Sequence, residues 1–222
     1  MTFLQLRTLV WSWLDDPDGG YFTESEVNRW INNAQQEAQK LILQSFESHF
    51  EKCVETTTVI NQREYQLPSD FKKLVRLDLI VSGTTFATED ADQLSKITSS
   101  QQDLISVSKT GTPVSYFFKN NQIILVPAPD AAKTLRMTYI YRLADMSNDS
   151  DESEIPIEYH EYLAVLATID GLQKDGRDIG PMMAKKQGYE TTIKRDAEQR
   201  NIDAPRTVVQ TMDDEYYGDD LY

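Results

Sequence analysis

Reactive chemistry needs convergent groups, and this chain of 222 residues holds two histidines and one cysteine. His49 and His160 lie far apart, and neither has a second His or Cys at metal-ligand spacing. Both read as structural or surface residues. Cys53 falls in a predicted strand with Glu51 and Glu55 as same-face neighbours, which oppose thiolate formation and favour an inert, buried or half-buried thiol. A lone cysteine excludes an intrachain disulfide and fits synthesis in a reducing cytoplasm. Gly19-Gly20 follows no strand and precedes no lysine, so it reads as a turn and not a phosphate-cradling loop.

Carboxylates are abundant, and a glycosidase-like pair is the chemistry they would support. Asp149, Asp151, Glu152 and Glu154, however, crowd one polar stretch in which solvation is the plainer role. Basic residues cluster weakly at Lys72, Lys73 and Arg76, and again at Lys185, Lys186, Lys194 and Arg195. These read as solvated faces, with an acidic partner as the second role. No catalytic, cofactor-binding or metal-binding residue is assigned.

Bulk charge narrows the partners. Lys and Arg number 22 against 36 Asp and Glu, a formal charge of -14 that repels phosphate backbones and argues against sequence-specific nucleic-acid binding. A negative protein still suits a role in which a duplex must pass without sticking. Hydrophobic residues at 40% support a packed core, yet no run approaches the roughly 20 apolar residues that span a bilayer. Gln5, Arg7 and Ser12 interrupt the first segment, which reads as a helix and not a signal peptide.

The elements that must position these groups follow from periodicity. Phe3, Leu6, Val10, Trp13 and Leu14 recur at helical spacing, and Asp15-Asp16-Pro17-Asp18-Gly19-Gly20 stops the helix. Thr23-Glu24-Ser25-Glu26 is a capping box. It opens a second helix to about Ser48, with Val27, Trp30, Ile31, Ala34, Ala38, Leu41 and Ile42 as its apolar stripe.

From Phe50 to Arg142 the period becomes two, predicting strands over Val54–Ile60, Leu74–Val81, Val114–Phe118, Ile123–Val126 and Leu135–Tyr141. Asn120-Asn121 suits a tight hairpin, and Pro127–Asp130 a rigid turn. Ala91–Ser106 is left between a short helix and an irregular loop. Asp145–Glu154 reads as an exposed, mobile acidic linker. A third helix follows Pro156 with Tyr159, Tyr162, Leu163, Leu166 and Ala167 inward, and ends at Asp175-Gly176. A fourth, from about Pro181 to Arg200, turns Met182, Tyr189 and Ile193 to one side.

The expected fold is α+β: an antiparallel helical bundle of about four helices, an inserted antiparallel β subdomain and an extended C-terminal tail. Its parts are a helix pair over 1–49, the β subdomain over 50–144, the acidic linker and second helix pair over 145–200, and the tail over 201–222. Pro205 and the mutual repulsion of Asp213, Asp214, Glu215, Asp219 and Asp220 predict a tail without a fold of its own. Val208, Val209, Met212, Tyr216, Tyr217, Leu221 and Tyr222 nevertheless make it richer in interface-forming residues than solubility requires.

In order and spacing, a series of segments resembles the head-to-tail adaptor (head-completion) proteins of tailed bacteriophages. They are Leu6-Arg7 and Trp13–Gly19 with Phe22–Ala34, Gln62–Phe71, Gly111–Pro113, Leu125–Asp130, Leu135–Tyr139 and Ile155–His160, and the resemblance spans about Thr2 to Arg200. It implies a structural virion protein and not an enzyme. Such a protein is made in the host cytoplasm and placed at the head–tail junction, where it forms a ring, dodecameric by the resemblance, under the portal protein.

The ring would extend the DNA channel and offer a platform to tail (nozzle or fibre) proteins, with sister subunits as further partners and no cofactor. On this reading the seven tail residues from Val208 to Tyr222 named above bind the portal. Two other readings are weighed against it: another tail or collar component, and a small carboxylate-dependent hydrolase.

Overall fold

Helix α1 (Phe3–Trp13) and helix α2 (Glu24–Ser45) each open with a reciprocal cap, and the second is the capping box expected at Thr23 and Glu26. Between them the Asp16 carboxylate accepts backbone N–H bonds from Gly20, Tyr21 and Phe22, which fixes the turn and lowers its pKa. The chain is described here by a computed structural model over residues 1–82, 90–98 and 110–200.

After a 3-10 turn at Glu47–Phe50 come strands β1 (Glu51–Thr57), β2 (Glu64–Gln66), β3 (Phe71–Ser82), β4 (Asp90–Gln93) and β5 (Ser95–Lys96). They are followed by β6 (Thr110–Gly111), β7 (Ser115–Lys119), β8 (Gln122–Val126), β9 (Ala128–Pro129) and β10 (Thr134–Tyr141). A second 3-10 turn, Ile157–Tyr159, leads into α3 (His160–Asp175) and then α4 (Gly180–Arg200).

One sheet has the order β1-β10-β3-β4, a second β2-β8-β7-β5, and β6 pairs with β9 alone. Alternate residues of β3 and β10, Leu77, Leu79, Leu135, Met137 and Tyr139, meet Tyr65, Tyr116, Ile123 and Leu125 of the second sheet in one core. Asn120 takes a left-handed backbone conformation at the β7–β8 turn, as the hairpin requires. Ala91–Gln93 continues β4 and neither of the two forms expected there; residues 99–106 lie outside the described residues.

The second core gathers Phe3, Leu6 and Val10 of α1 with Leu14 at its C-cap, the predicted stripe of α2, Tyr162, Leu163, Leu166 and Ala167 of α3, and Ile193 of α4. Helices α1 and α3 approach so closely that a Cβ on Gly171 would sit 2.7 Å from a methyl of the buried Leu14. A side chain at 171 would therefore force the buried Leu14 to shift. Gly176, left-handed at φ 68°, ends α3 at the predicted place.

The expected helical bundle with an inserted antiparallel β subdomain is corrected. Among the described residues the fold is mixed α+β, with four helices and three sheets. Two pairings, β5 with β7 and β6 with β9, are parallel. Nor do the helices close a core by themselves: Phe50, Ile140, Leu143, Met146 and Ile155 complete it, and Tyr141 packs against both cores. The reason lies in α3, whose residues from Tyr162 to Ile169 are all buried; such a helix needs cover on more sides than three helices supply.

The mobile acidic linker is also corrected. Phe3 and Leu4 donate backbone N–H bonds to the carbonyls of Asp151 (2.7 Å) and Asp149 (3.1 Å), and Thr2 forms a β-bridge with Glu152. Met146 and Ser153 are buried.

Candidate interaction surface

Polar residues of α2 at helical spacing do what its apolar stripe cannot. Asn32, Gln35, Gln36 and Gln39 donate side-chain amide bonds to the carbonyls of Met146 (3.0 Å), Ala144 (2.8 Å), Leu143 (2.8 Å) and Tyr141 (2.7 Å). The Asn32 carbonyl accepts in return from the Met146 N–H at 2.9 Å. Gln35 and Gln39 are only 1% and 0% exposed, so these bonds satisfy carbonyls at the end of β10 and in the extended segment that follows it. No sequence expectation covered this ladder; the signal was the spacing 32, 35, 36, 39 of long amides on one helix.

Beside the ladder lies a notch of about 490 Å³ between α2, the Ser69-Asp70 turn and the segment after β10. Lys40, Lys72 and Arg142 line it together with Asp70 and Asp145. The Lys72 amine donates to the Gln39 side-chain carbonyl at 2.6 Å. Burial lowers its pKa first, and the positive charges of Lys40 and Arg142 lower it further.

Asp70, on the rim, accepts from Lys52 at 2.9 Å and Tyr139 at 2.8 Å. Burial works to raise its carboxyl, and these bonds outweigh burial and leave it below its ordinary value.

Past Lys72 the surface continues into a cleft of about 450 Å³ with Phe71, Tyr116 and Phe118 in its walls and Lys96 at its edge. The Lys96 amine stands 5.3 Å from the centre of the Phe118 ring.

Among the helices, Arg7 is 5% exposed and joins three elements: it pairs with Glu24 and Asp149 and donates to Asn28. Its guanidinium also lies over the Phe3 and Trp11 rings at 5.7 and 5.6 Å. Ile157, 74% exposed, projects from the turn before α3, and Val59, Ile60 and Val114 are exposed around the Val126–Pro129 segment.

His160 is buried, its Nε2 bonded to the Ile155 carbonyl at 2.8 Å, and His49 packs edge-on against Phe50 at 4.6 Å. Both therefore have structural settings. Cys53 is exposed, against the expectation of a buried or half-buried thiol, because its β1 side faces away from the inter-sheet core.

The linker carboxylates are dispersed: Asp149 meets Arg7, Asp151 caps the N–H groups of Ser147 and Asn148, and Glu154 accepts from Tyr141. In the second basic cluster, Lys186 pairs with Glu37 at 2.9 Å, and Lys185 lies over Trp13 at 4.6 Å. Val208, Val209, Met212, Tyr216, Tyr217, Leu221 and Tyr222 lie outside the described residues. Among the described residues no group of His, Cys, Asp and Glu is placed to hold a metal ion, and no helix is long and apolar enough to cross a membrane.

No curated protein matches the chain at a significant level. One family does: the family model described as SU10 adaptor protein matches residues 1–210, which takes in both cores, the amide ladder and all four helices. That span is nearly the whole chain, and so the chain belongs to the SU10 adaptor protein family of phage adaptors.

Proposed function

We propose that this protein is the subunit of a head-to-tail adaptor ring that docks on the portal of a phage capsid, extends its DNA channel and presents a platform for tail attachment. The observation that carries this reading is the family match over residues 1–210. The ring is dodecameric by the resemblance to phage adaptors. A charge of -14 favours passage of DNA over retention, because a lumen of the same sign as the duplex has no attraction to be broken at each step. Exposed apolar residues such as Ile157 and Val59 serve contacts with sister subunits and tail proteins.

Residues 201–222 are the arm that holds the portal, with Val208, Val209, Met212, Tyr216, Tyr217, Leu221 and Tyr222 filling grooves between portal subunits. Its carboxylates meet basic rims. A segment that orders on binding reaches over more of a partner than a preformed surface of the same length.

Purified protein mixed with portal rings and followed by sedimentation and electron microscopy tests the reading. A second ring seated on the portal is the expected outcome. Deletion of 201–222 abolishes seating while leaving the circular dichroism of the body unchanged. Seating of the truncated chain at parental affinity moves the portal contact to the body, and absence of any complex with portal rings overturns the adaptor assignment.

A further inference from the structure

The basic notch and the aromatic cleft meet at Lys72, which lines both. Lys40, Lys72 and Arg142 form no ion pair with any carboxylate of the described residues, and with Lys73 and Lys96 of the adjoining cleft they set five bases against two lining carboxylates, Asp70 and Asp145, on a strongly acidic chain. An anionic group placed there relieves the mutual repulsion that already acts on the Lys72 amine. The cleft beside it adds aromatic walls, so the surface as a whole asks for a ligand that is both acidic and aromatic.

The chain itself carries such a ligand. From Met212 to Tyr222 the sequence reads Met-Asp-Asp-Glu-Tyr-Tyr-Gly-Asp-Asp-Leu-Tyr, alternating carboxylate blocks with tyrosines. The chain can also reach. Lys174 meets Glu26 at the start of α2, so α3 runs antiparallel to α2. Tyr159 and Tyr162 meet Asp196 and Glu190 in reverse order, so α4 runs antiparallel to α3 and parallel to α2. Helix α4 therefore delivers the chain at the end of the helical layer nearest Lys72, whose amine contacts α2 at Gln39. The eleven residues from 201 to 211 cover up to about 40 Å when extended.

We propose that, before a portal is engaged, residues 212–222 dock in cis on the Lys72 surface, carboxylates on Lys40, Lys72 and Arg142 and tyrosines along the Phe71–Phe118 cleft. A tether of this length supplies an effective concentration on the order of 1 mM, so an intrinsic Kd of about 0.1 mM keeps the segment docked about ten to one. Basic rims on a portal compete for the same carboxylates and release the arm. The docking itself is independent of the portal reading; only this consequence rests on it.

Hydrogen–deuterium exchange of the full chain tests the proposal through the backbone amides of residues 212–222. Expected is about tenfold slower exchange at low salt than for the same sequence as a free peptide, lost in 1 M NaCl as screening at about 3 Å removes the charge pairing. Two variants approach the contact from opposite sides. Lys72→Glu with Arg142→Glu alters the body, and Asp213→Asn with Asp214→Asn and Glu215→Gln alters the arm without touching the body's packing.

Both variants should release the arm to free-peptide exchange, and neither should be matched by Lys194→Glu on exposed α4. Free-peptide exchange in the parent chain at low salt overturns the proposal, as does protection that survives the arm variant. Protection that rises with protein concentration reassigns the occupant to a second copy. Unprotected amides together with short-duplex DNA binding that is lost in the body variant mark a nucleic-acid surface instead. Portal seating is measured separately, so retained seating after deletion of 201–222 overturns the portal arm and leaves the docking result standing.

Discussion

Trp30 shows how one side chain is held by several elements. It lies on the apolar face of α2, is 6% exposed and meets the Phe22 ring edge-on at 5.7 Å. Trp30→Ala is expected to cost about 3 to 5 kcal/mol, the range for removing a buried large aromatic. A thermal melt coinciding with the parent's would place the stripe on a surface and not in the core.

The tyrosines offer a second check. Burial raises Tyr139 and Tyr141 to about 12, Tyr139 also through its bond to Asp70 and Tyr141 through Glu154. A folded pKa above the unfolded value near 10 means stability is fully present below about pH 10 and is lost as pH rises toward about 12. Urea midpoints should fall across that window, and less steeply in Tyr139→Phe. A flat profile would show that these hydroxyls are solvated.

At the scale of the element, the strap from Tyr141 to Glu154 is the part whose behaviour depends most on remote contacts. Its carbonyls have the amides of α2 as partners, so replacing Gln35 and Gln39 with leucine leaves buried acceptors unsatisfied. Each loss costs about 1 to 3 kcal/mol, and Gln39→Leu also strips Lys72 of its acceptor. The double variant is expected to unfold at lower urea and to exchange the amides of 141–151 faster than those of β3. Parental exchange in the strap would assign its order to Arg7, Asp149 and the Thr2–Glu152 bridge instead.

For the whole molecule, the charge of -14 opposes self-association in dilute salt, since identical acidic bodies repel. The isolated protein is therefore expected to be largely monomeric at micromolar concentration, and to form its ring where a portal supplies contacts that outweigh the repulsion. Multi-angle light scattering measures this directly. A stable large ring without portal would show that sister contacts suffice and that the portal is not needed to assemble it.

Local order was legible in the sequence wherever neighbouring residues decide structure. The Thr23–Glu26 box, the stripe of α2, the Asn120 hairpin, the alternation in β10 and the Asp175-Gly176 stop all depend on spacings of four residues or fewer, and each element stands where those spacings put it. The family, too, was legible, because the landmark segments keep their order along the chain.

Tertiary structure alone decided the rest. The amide bonds of α2 join residues 102 to 114 positions apart, and no periodicity connects Gln39 to Tyr141 or Asn32 to Met146. A stretch rich in Asp and Ser reads as mobile from composition, yet it is tied down by partners that composition does not record. Whether the end of β10 serves the sheet core or the helical core depends on what packs against Ile140 and Leu143. Their apolar character satisfies either core equally, so only the folded arrangement could choose.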